Sequence, residues 1–397
     1  ICSFWQWFMP CRSLSQEICL MAVPIRVLLL TNYREDGQRS MLRFADLLLS
    51  HLPEDGVDLE EIHPKAHLRK LCPSNNLKKW AGYLDKYLLF PRSLSRRLQC
   101  KSNPIELAHV IDHSNSIYLG RIQRLTSIPK LLTCHDLIAL RTARNEFPKV
   151  PNTSSNGKRL QNWIHRSLPY ADAYACDSSR TEMDLNRITP TSKGRSEVIH
   201  LGVQSERVDD NPIEDLPFDP INTGFLLHVG SSAWYKNRKA VYMAFRNASA
   251  KSPKLDLKLI LVGPKPQNEE LDPGLSNWFQ SHPNSLICLN NLSENSLGEL
   301  YKHAKALVFP SHIEGFGWPP LEAAVHGCPV ITTRTGAISD LLGDYAQYID
   351  AYAQASIDQA VLQALQSTDQ ESVPISLPNH DDCREKYYDL YDQVIKN

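Results

Sequence analysis

The clearest chemical signal in the sequence is a pair of carboxylates, Glu314 and Glu322, separated by seven residues. Glu314 lies beside a glycine, shortly after the apolar run 306–309, and Glu322 follows two prolines. A short apolar run is typical of a buried parallel strand, and prolines suit the first turn of a helix. The pattern therefore predicts a strand, a glycine-containing loop and the start of a helix, with one carboxylate in the loop and one in the first turn.

Free amide groups at a helix start favour an anion such as phosphate, and loop glycines let another molecule approach the backbone. Two carboxylates beside that anion would repel it, so we expect Glu314 and Glu322 to bind neutral hydroxyls, as on a sugar and a ribose. The alternative is a surface loop with a helix-capping glutamate, because a strand, loop and helix make up every α/β connection.

Residues 310–323 read Pro-Ser-x-x-Glu-Gly-Phe-Gly-x-Pro-x-Leu-Glu-Ala, which closely resembles the E-x7-E signature of glycosyltransferase family 4. Members of that family are retaining, nucleotide-sugar-dependent enzymes of the GT-B fold. The resemblance implies that Glu314 binds hydroxyls of the donor sugar near the reacting carbon and that Glu322 binds the ribose. It also implies that the donor is contacted by Gly315, Phe316, Gly317 and Leu321.

A second cluster of candidate residues follows the apolar run that ends at Val229. Lys236 and Arg238 come after Gly230 and Ser231, beside a predicted helix start. Cations at this position can neutralise a diphosphate, the leaving group of sugar transfer. By resemblance, Lys236 is the diphosphate lysine of the family. The family commonly has an arginine where this chain has Ser231, and Arg238 is the candidate replacement.

In the first half of the chain, polar side chains follow predicted parallel strands, where ligands bind in open α/β sheets. His135 resembles the cleft histidine of the family, which implies a contact with the donor sugar, so the predicted catalytic residues are Glu314, His135 and Lys236. A lone histidine is otherwise more often structural. The acceptor-side candidates are Gly37, Asp112 and His113.

With 397 residues the chain exceeds the usual size of a single core. The resemblance implies two Rossmann-like domains with parallel sheets that face each other across a cleft. We predict five parts: an N-terminal extension, disordered or loosely packed, an acceptor domain, a linker, a nucleotide-sugar domain and a C-terminal helix that crosses back to the first domain, with boundaries at 1–20, 21–205, 206–222, 223–377 and 378–397.

Residues 77–101 carry seven lysines and arginines against a single acid, Asp85. Trp80, Tyr83, Leu84 and Tyr87 recur at helical spacing, which predicts one apolar, aromatic face. A basic amphipathic helix with aromatic residues fits a membrane surface that bears anionic lipid. The alternative is an ordinary helix packed on the N-terminal domain, with its lysines in solvent.

Composition limits the other possibilities. The net charge of −1 gives no indication of nucleic-acid binding, and no apolar run is long enough to span a membrane. Ten cysteines without a C-x-x-C pair favour a reducing cytosol, which predicts a cytoplasmic protein, peripheral on the inner face of the membrane if the basic segment binds lipid. An aspartate-x-aspartate metal signature is lacking, so we expect no cofactor and no metal requirement.

We therefore expect a glycosyltransferase that moves a hexosyl unit, with retention, from a UDP-, GDP- or ADP-sugar to a hydroxyl of a glycan or lipid-linked acceptor in cell-surface polysaccharide or glycolipid synthesis. The two-carboxylate mechanism of glycosidases is disfavoured, because no pair of nucleophile and acid is visible in the sequence. Two alternatives remain: a nucleotide-sugar epimerase of the same fold, which would act without an acceptor, and a non-catalytic module that binds nucleotide sugars or membranes.

Overall fold

The computed structural model describes residues 24–147, 150, 152–190, 194–203, 216–366 and 375–396. The predicted extension 1–20 and the linker residues 206–215 lie outside the described residues. The exact bounds of the five predicted parts therefore stay predictions.

The first half of the chain forms a parallel sheet of six strands in the order β2-β1-β3-β4-β5-β6. Its strands are β1 Ile25–Leu30, β2 Val57–Ile62, β3 Leu107–Val110, β4 Lys130–Cys134, β5 Ala173–Cys176 and β6 Arg195–Val198. The helices of this half are α1 Arg39–His51, α2 Asn75–Leu84, α3 Phe90–Leu98, α4 Leu119–Leu125, α5 Ile138–Ala143, α6 Ser155–Ser167 and α7 Ser179–Ile188. The central strands are apolar because both faces of the sheet are covered.

The second half repeats this architecture with a parallel sheet in the order β12-β11-β10-β7-β8-β9. Its strands are β7 Phe225–Val229, β8 Lys258–Val262, β9 Leu286–Leu289, β10 Ala306–Phe309, β11 Val330–Thr332 and β12 Gln347–Tyr348. Its helices are α8 Arg238–Lys251, α9 Pro273–Ser281, α10 Glu294–His303, α11 Trp318–Val325, α12 Ala337–Leu341 and α13 Gln354–Gln366. Two doubly wound sheets of this kind confirm the predicted α/β architecture.

The last helix, α14 (His380–Lys396), packs against the first sheet rather than the second. The Tyr391 hydroxyl lies 2.7 Å from Nδ1 of His109 on β3, and the Tyr387 hydroxyl lies 3.1 Å from Oγ1 of Thr133 on β4. All four side chains are buried, so these hydrogen bonds satisfy polar groups that would otherwise be stranded in the core. Helix α14, which follows the second sheet in the sequence, thereby returns to the first domain.

The basic segment 77–101 is helical without a break as far as Leu98. A π-helical stretch, Asp85–Leu89, separates α2 from α3. The carboxylate of Asp85 is buried and accepts hydrogen bonds from the backbone of Leu68 and Arg69 and from the hydroxyl of Tyr33. No helix among the described residues has the length and apolar content that crossing a membrane requires.

Candidate active site

A cavity of about 1340 Å³ lies where strands of the two sheets end. The segments after β4 and β5 contribute His135, Asp136 and Asp177, and the segments after β7 and β10 contribute Gly230, Ser231, Lys236 and Glu314 to Gly317. Helix α1 supplies residues of the first domain and α10 and α11 residues of the second. The carboxyl ends of parallel strands are where ligands bind in open α/β sheets.

Within this cavity, Lys236 and Glu314 form an ion pair. The Lys236 ammonium donates to both carboxylate oxygens of Glu314, at 2.9 and 3.0 Å. Both side chains are largely buried, at 13% and 7% exposure, and the backbone N–H of Glu314 donates to Oγ1 of Thr335. A cation and a carboxylate held in this way can separate to engage a diphosphate and sugar hydroxyls.

The second predicted carboxylate, Glu322, also faces the cavity, but it is the fifth of the eight residues of α11 and so lies just beyond the predicted first turn. It accepts a hydrogen bond from the Tyr301 hydroxyl at 3.0 Å and forms an ion pair with Arg43, which projects from α1 of the other domain. The Arg43 guanidinium stacks over the ring of Trp318, 3.9 Å from its centroid. The ion pair between Arg43 and Glu322 therefore links the two domains across the cavity.

The loop between the two carboxylates touches the first domain through its backbone. A Cβ atom at Gly315 would lie 1.9 Å from the carbonyl oxygen of His135, so this position accepts only glycine. Gly317 has a φ of 91°, in the left-handed region, and is the N-cap of α11. The glycines thus bring Glu314 close to the histidine segment of the opposite domain and turn the chain into α11.

His135 is held at both ring nitrogens. Its Nδ1 lies 2.6 Å from Oδ2 of Asp177, and its Nε2 lies 2.8 Å from the carbonyl oxygen of Ile111. A carbonyl only accepts, so Nε2 carries a proton, and the Asp177 carboxylate favours a proton on Nδ1 as well. Burial lowers the pKa of His135, but Asp177, together with the Asp112 carboxylate and the Ile111 carbonyl, raises that pKa by more in total, to about 9. The imidazole is therefore a fixed cation beside the cavity.

Arg238 differs from the prediction, because the structure places it away from the cavity. Its side chain is fully buried and pairs with Glu270 at 3.1 Å, with further hydrogen bonds to the Tyr242 hydroxyl and the Pro264 carbonyl oxygen. Tyr242 is buried in the second domain, whereas Glu270 is partly exposed and Pro264 lies on the surface in the loop after β8. Arg238 is not among the described residues that line the cavity, where a replacement for the cation missing at Ser231 is expected. The side chain of Leu321 is likewise in the core.

The three acceptor-side candidates are not among the described residues that line the cavity. Asp112 and His113 are buried, and their mutual attraction opposes the effect of burial, lowering the pKa of Asp112 and raising that of His113. Asp112 also accepts from Asn32 and Ser114, so it organises the end of β3. Gly37 is exposed and has a φ of 65°, which closes a turn before α1.

Several residues of the cavity were not found from the sequence. Asp177 follows β5 as His135 follows β4, so the rule of strand ends could have identified it. Arg43, Tyr301 and Trp318 gave no local signal, because their contacts join elements far apart in the chain. Among the described residues, no group of His, Cys, Asp and Glu side chains has a metal-binding arrangement, and metal independence stays a prediction.

Comparison with known proteins assigns the second half of the chain. Residues 219–376 match the family model described as glycosyl transferases group 1. These residues form a glycosyltransferase domain. The match supports the enzyme class predicted from the sequence, and the carboxylates, glycine loop and lysine described above all fall inside it.

Two curated relatives of the glycosyltransferase domain and its neighbour come from Escherichia coli. The serotype-specific mannosyltransferase WbdA is 27% identical over 261 residues, which cover 61% of this chain and 30% of the relative. O-antigen chain mannosyltransferase B is 24% identical over 267 residues, which cover 64% of this chain and 65% of the relative. The match thus spans 30% of the length of WbdA and 65% of the length of O-antigen chain mannosyltransferase B.

Among solved structures, sucrose-phosphate synthase from Thermosynechococcus elongatus superimposes with a TM-score of 0.64. The match covers 94% of this chain and 96% of that chain, at 16% sequence identity. Such identity establishes the fold, and the predicted GT-B architecture is confirmed over nearly the whole length.

Proposed function

We propose that this protein is a retaining glycosyltransferase of family 4, which moves a hexosyl unit from a nucleotide-diphosphate sugar to an acceptor hydroxyl. The proposal rests on one observation: Lys236, Glu314, Glu322 and His135 line a single cavity between the two domains. The E-x7-E spacing that carries the resemblance to family 4 corresponds to two carboxylates that both line that cavity.

In this proposal the residues divide the donor between them. Glu322 binds the ribose, and Glu314 accepts hydrogen bonds from hydroxyls of the sugar, each worth roughly 1.5–3 kcal/mol. Lys236 turns from Glu314 to the diphosphate as the bond between the anomeric carbon and the phosphate oxygen breaks. The bond that replaces it joins the same carbon to the acceptor oxygen, whose proton passes to the departing phosphate oxygen. Because His135 is a fixed cation, it acts through its charge rather than as a base.

The identity of the sugar is the first question for experiment. Both Escherichia coli relatives are named mannosyltransferases, and the name of one of them refers to the O-antigen chain. These names support a mannosyl donor and, as acceptor, a glycan of a cell-surface polysaccharide. We propose that the donor is a UDP-, GDP- or ADP-sugar and that transfer needs no metal ion.

The exposed surface of segment 77–101 supports a lipid-linked acceptor on a cytoplasmic membrane face. Apolar side chains that normally lie inside are exposed there, including Trp80 at 64%, Leu77 at 53% and Trp163 of α6 at 45%. The one acid of the segment, Asp85, is buried, so its exposed charges are all positive, from Lys79, Arg92, Arg96 and Lys101. Exposed apolar side chains together with exposed cations fit the surface of a bilayer that contains anionic lipid.

The proposed function is tested by measuring thermal stabilisation with UDP-, GDP- and ADP-sugars, the mannose forms included. A ligand at 100 times its dissociation constant adds about 2.7 kcal/mol to the free energy of unfolding. The stabilising donor is then supplied with and without candidate acceptors, and the product is followed by chromatography and NMR. We expect acceptor-dependent transfer with retained anomeric configuration. If none of these nucleotide sugars stabilises the protein, the proposal is refuted.

Two other functions make different predictions in the same assays. A nucleotide-sugar epimerase would convert the donor without an acceptor. A non-catalytic module would bind the donor and leave it intact, so loss of donor hydrolysis or transfer in Glu314→Ala would exclude it. The charged pair that joins Lys236 to Glu314 favours the transferase, because a module has no leaving group to neutralise.

A further inference from the structure

Arg43 belongs to the first domain but contacts the part of the second domain assigned to the donor. It lies on α1, 13 residues long, which lines the cavity from the first domain. Its guanidinium pairs with Glu322 and stacks on Trp318, at the start of α11. The contact therefore crosses the cleft at the site that the proposed function gives to the ribose.

The second domain supplies few cations to the cavity for a doubly charged diphosphate. Lys236 is paired with Glu314, and Lys302 is paired with Glu299 at 2.9 Å. Arg238 is buried against Glu270, and Ser231 is neutral. The remaining arginines among the described residues that line the cavity are Arg39 and Arg43, both from α1.

The start of α11 is also a weak anion site by itself. Pro319 and Pro320 occupy its first turn and carry no N–H, so two of the amide donors that usually face an anion are missing. A diphosphate near Gly317 therefore needs side-chain donors. Trp318, immediately before these prolines, holds the Arg43 guanidinium by stacking, independently of the pair with Glu322.

The guanidinium keeps donors for a ligand. Nε of Arg43 is buried and has no hydrogen-bond partner, although one of the terminal nitrogens is bonded to Glu322. When ribose hydroxyls take the place of Arg43 on Glu322, Nη1 is released as well. Nε with Nη2 on one side, and Nη1 with Nη2 at the end, each present two parallel N–H groups that match the oxygens of a phosphate in fork geometry.

We propose that Arg43 is a donor-binding residue supplied across the cleft: it leaves Glu322 as the nucleotide enters and binds the diphosphate. This inference rests on the proposed function. It makes the first domain part of the donor site, and it accounts for the absence of an arginine at Ser231.

The test compares nucleoside diphosphates with nucleosides by calorimetry on the full chain. UDP, GDP and ADP, with uridine, guanosine and adenosine, are titrated into wild type, Arg43→Ala, Arg43→Lys and the control Arg124→Ala, an exposed arginine on α4. We expect Arg43→Ala to weaken the bound diphosphate by at least about tenfold and to leave its nucleoside within about twofold, because only the phosphates lose a partner. Lysine should restore part of the loss, since it keeps the charge without the fork.

Equal weakening of diphosphate and nucleoside in Arg43→Ala would mean that the residue only shapes the cavity, and it would overturn the inference. Unchanged diphosphate affinity would overturn it too. In both cases binding by wild type leaves the proposed function standing. If wild type binds none of the three diphosphates, the proposed function and this inference fall together.

Discussion

Nζ of Lys236 lies 2.9 Å from one carboxylate oxygen of Glu314 and 3.0 Å from the other. The two residues are 78 positions apart, after β7 and β10, which are neighbours in the second sheet. Each neutralises the other in a buried place, where an isolated charge is costly. The pair is the chemical centre of the proposed site, because a donor offers each partner a replacement: phosphate for the lysine and hydroxyls for the glutamate.

Removing one member of this pair should destabilise the fold more than removing both charges. Lys236→Ala leaves the Glu314 carboxylate buried without a partner, and such a loss typically costs about 3–5 kcal/mol. We expect Lys236→Ala with Glu314→Gln to recover most of that free energy of unfolding, measured by urea titration. Lys396→Ala, which breaks an exposed pair with Asp392, is the control and should change stability by less than about 1 kcal/mol. A double variant no more stable than Lys236→Ala would contradict the expectation.

Gly315 should tolerate no side chain. In Gly315→Ala the new Cβ would lie 1.9 Å from the carbonyl oxygen of His135, so the glycine loop and the first domain must move apart. We expect a loss of transfer activity of about a hundredfold or more, since small displacements of reacting groups have effects of this size. Gly224→Ala is the matched control, because nothing lies within 4 Å of a Cβ at that position. Similar activities in the two variants would refute this account of the loop.

The sheets and the glycine loop could be predicted because their signals are local. An apolar run such as 306–309 is sufficient to indicate a buried strand, and it is β10 in the structure. The loop and helix start follow from glycine and proline chemistry in the next few residues. Placing Glu314 and Lys236 in one cavity needed only the rule that parallel strands end at the same edge.

Contacts between distant elements could not be predicted in the same way. Arg238 carries the charge that a diphosphate needs, but whether it faces the cavity or Glu270 depends on how α8 packs, which its neighbours in sequence do not specify. Arg43 lies on the helix face that meets the other domain, and a lone arginine in an amphipathic helix does not indicate this. The buried Asp85 likewise depends on the backbone of Leu68 and Arg69.

The His135 and Asp177 pair predicts that stability falls in alkaline solution. A histidine with a raised folded pKa contributes stability that is complete below pH 6.5, its unperturbed value, and is lost as the pH rises through 9. We expect the free energy of unfolding to fall across this window by at most about 3.5 kcal/mol, at roughly 1.4 kcal/mol per pKa unit. Asp177→Asn should remove most of that decline in urea titrations. Asp58→Asn, an exposed carboxylate paired with Arg26 at 3.5 Å, should keep it, and an unaltered decline in Asp177→Asn would count against the pair.

The exposed face of segment 77–101 should bind anionic vesicles. Replacing Trp80 and Leu84 with serine removes two exposed apolar side chains, and each contributes roughly 1.5–3 kcal/mol when fully buried. We expect sedimentation with phosphatidylglycerol vesicles to fall by at least about tenfold, with less binding to neutral phosphatidylcholine throughout. Ile221→Ser, which removes a side chain 72% exposed on the second half of the chain, should have no effect. Undiminished sedimentation of the double variant would argue against membrane docking through this face.

The division of the donor between Glu314 and Glu322 is tested most directly by calorimetry with a nucleotide sugar and its bare diphosphate. Wild type, Glu314→Gln and Glu322→Gln are each titrated with both ligands, and the ratio of the two dissociation constants is compared. We predict that Glu314→Gln weakens the nucleotide sugar and spares the diphosphate, whereas Glu322→Gln weakens both by a similar factor. Equal weakening of both ligands by Glu314→Gln, or no weakening of either, would contradict the assignment of Glu314 to the sugar.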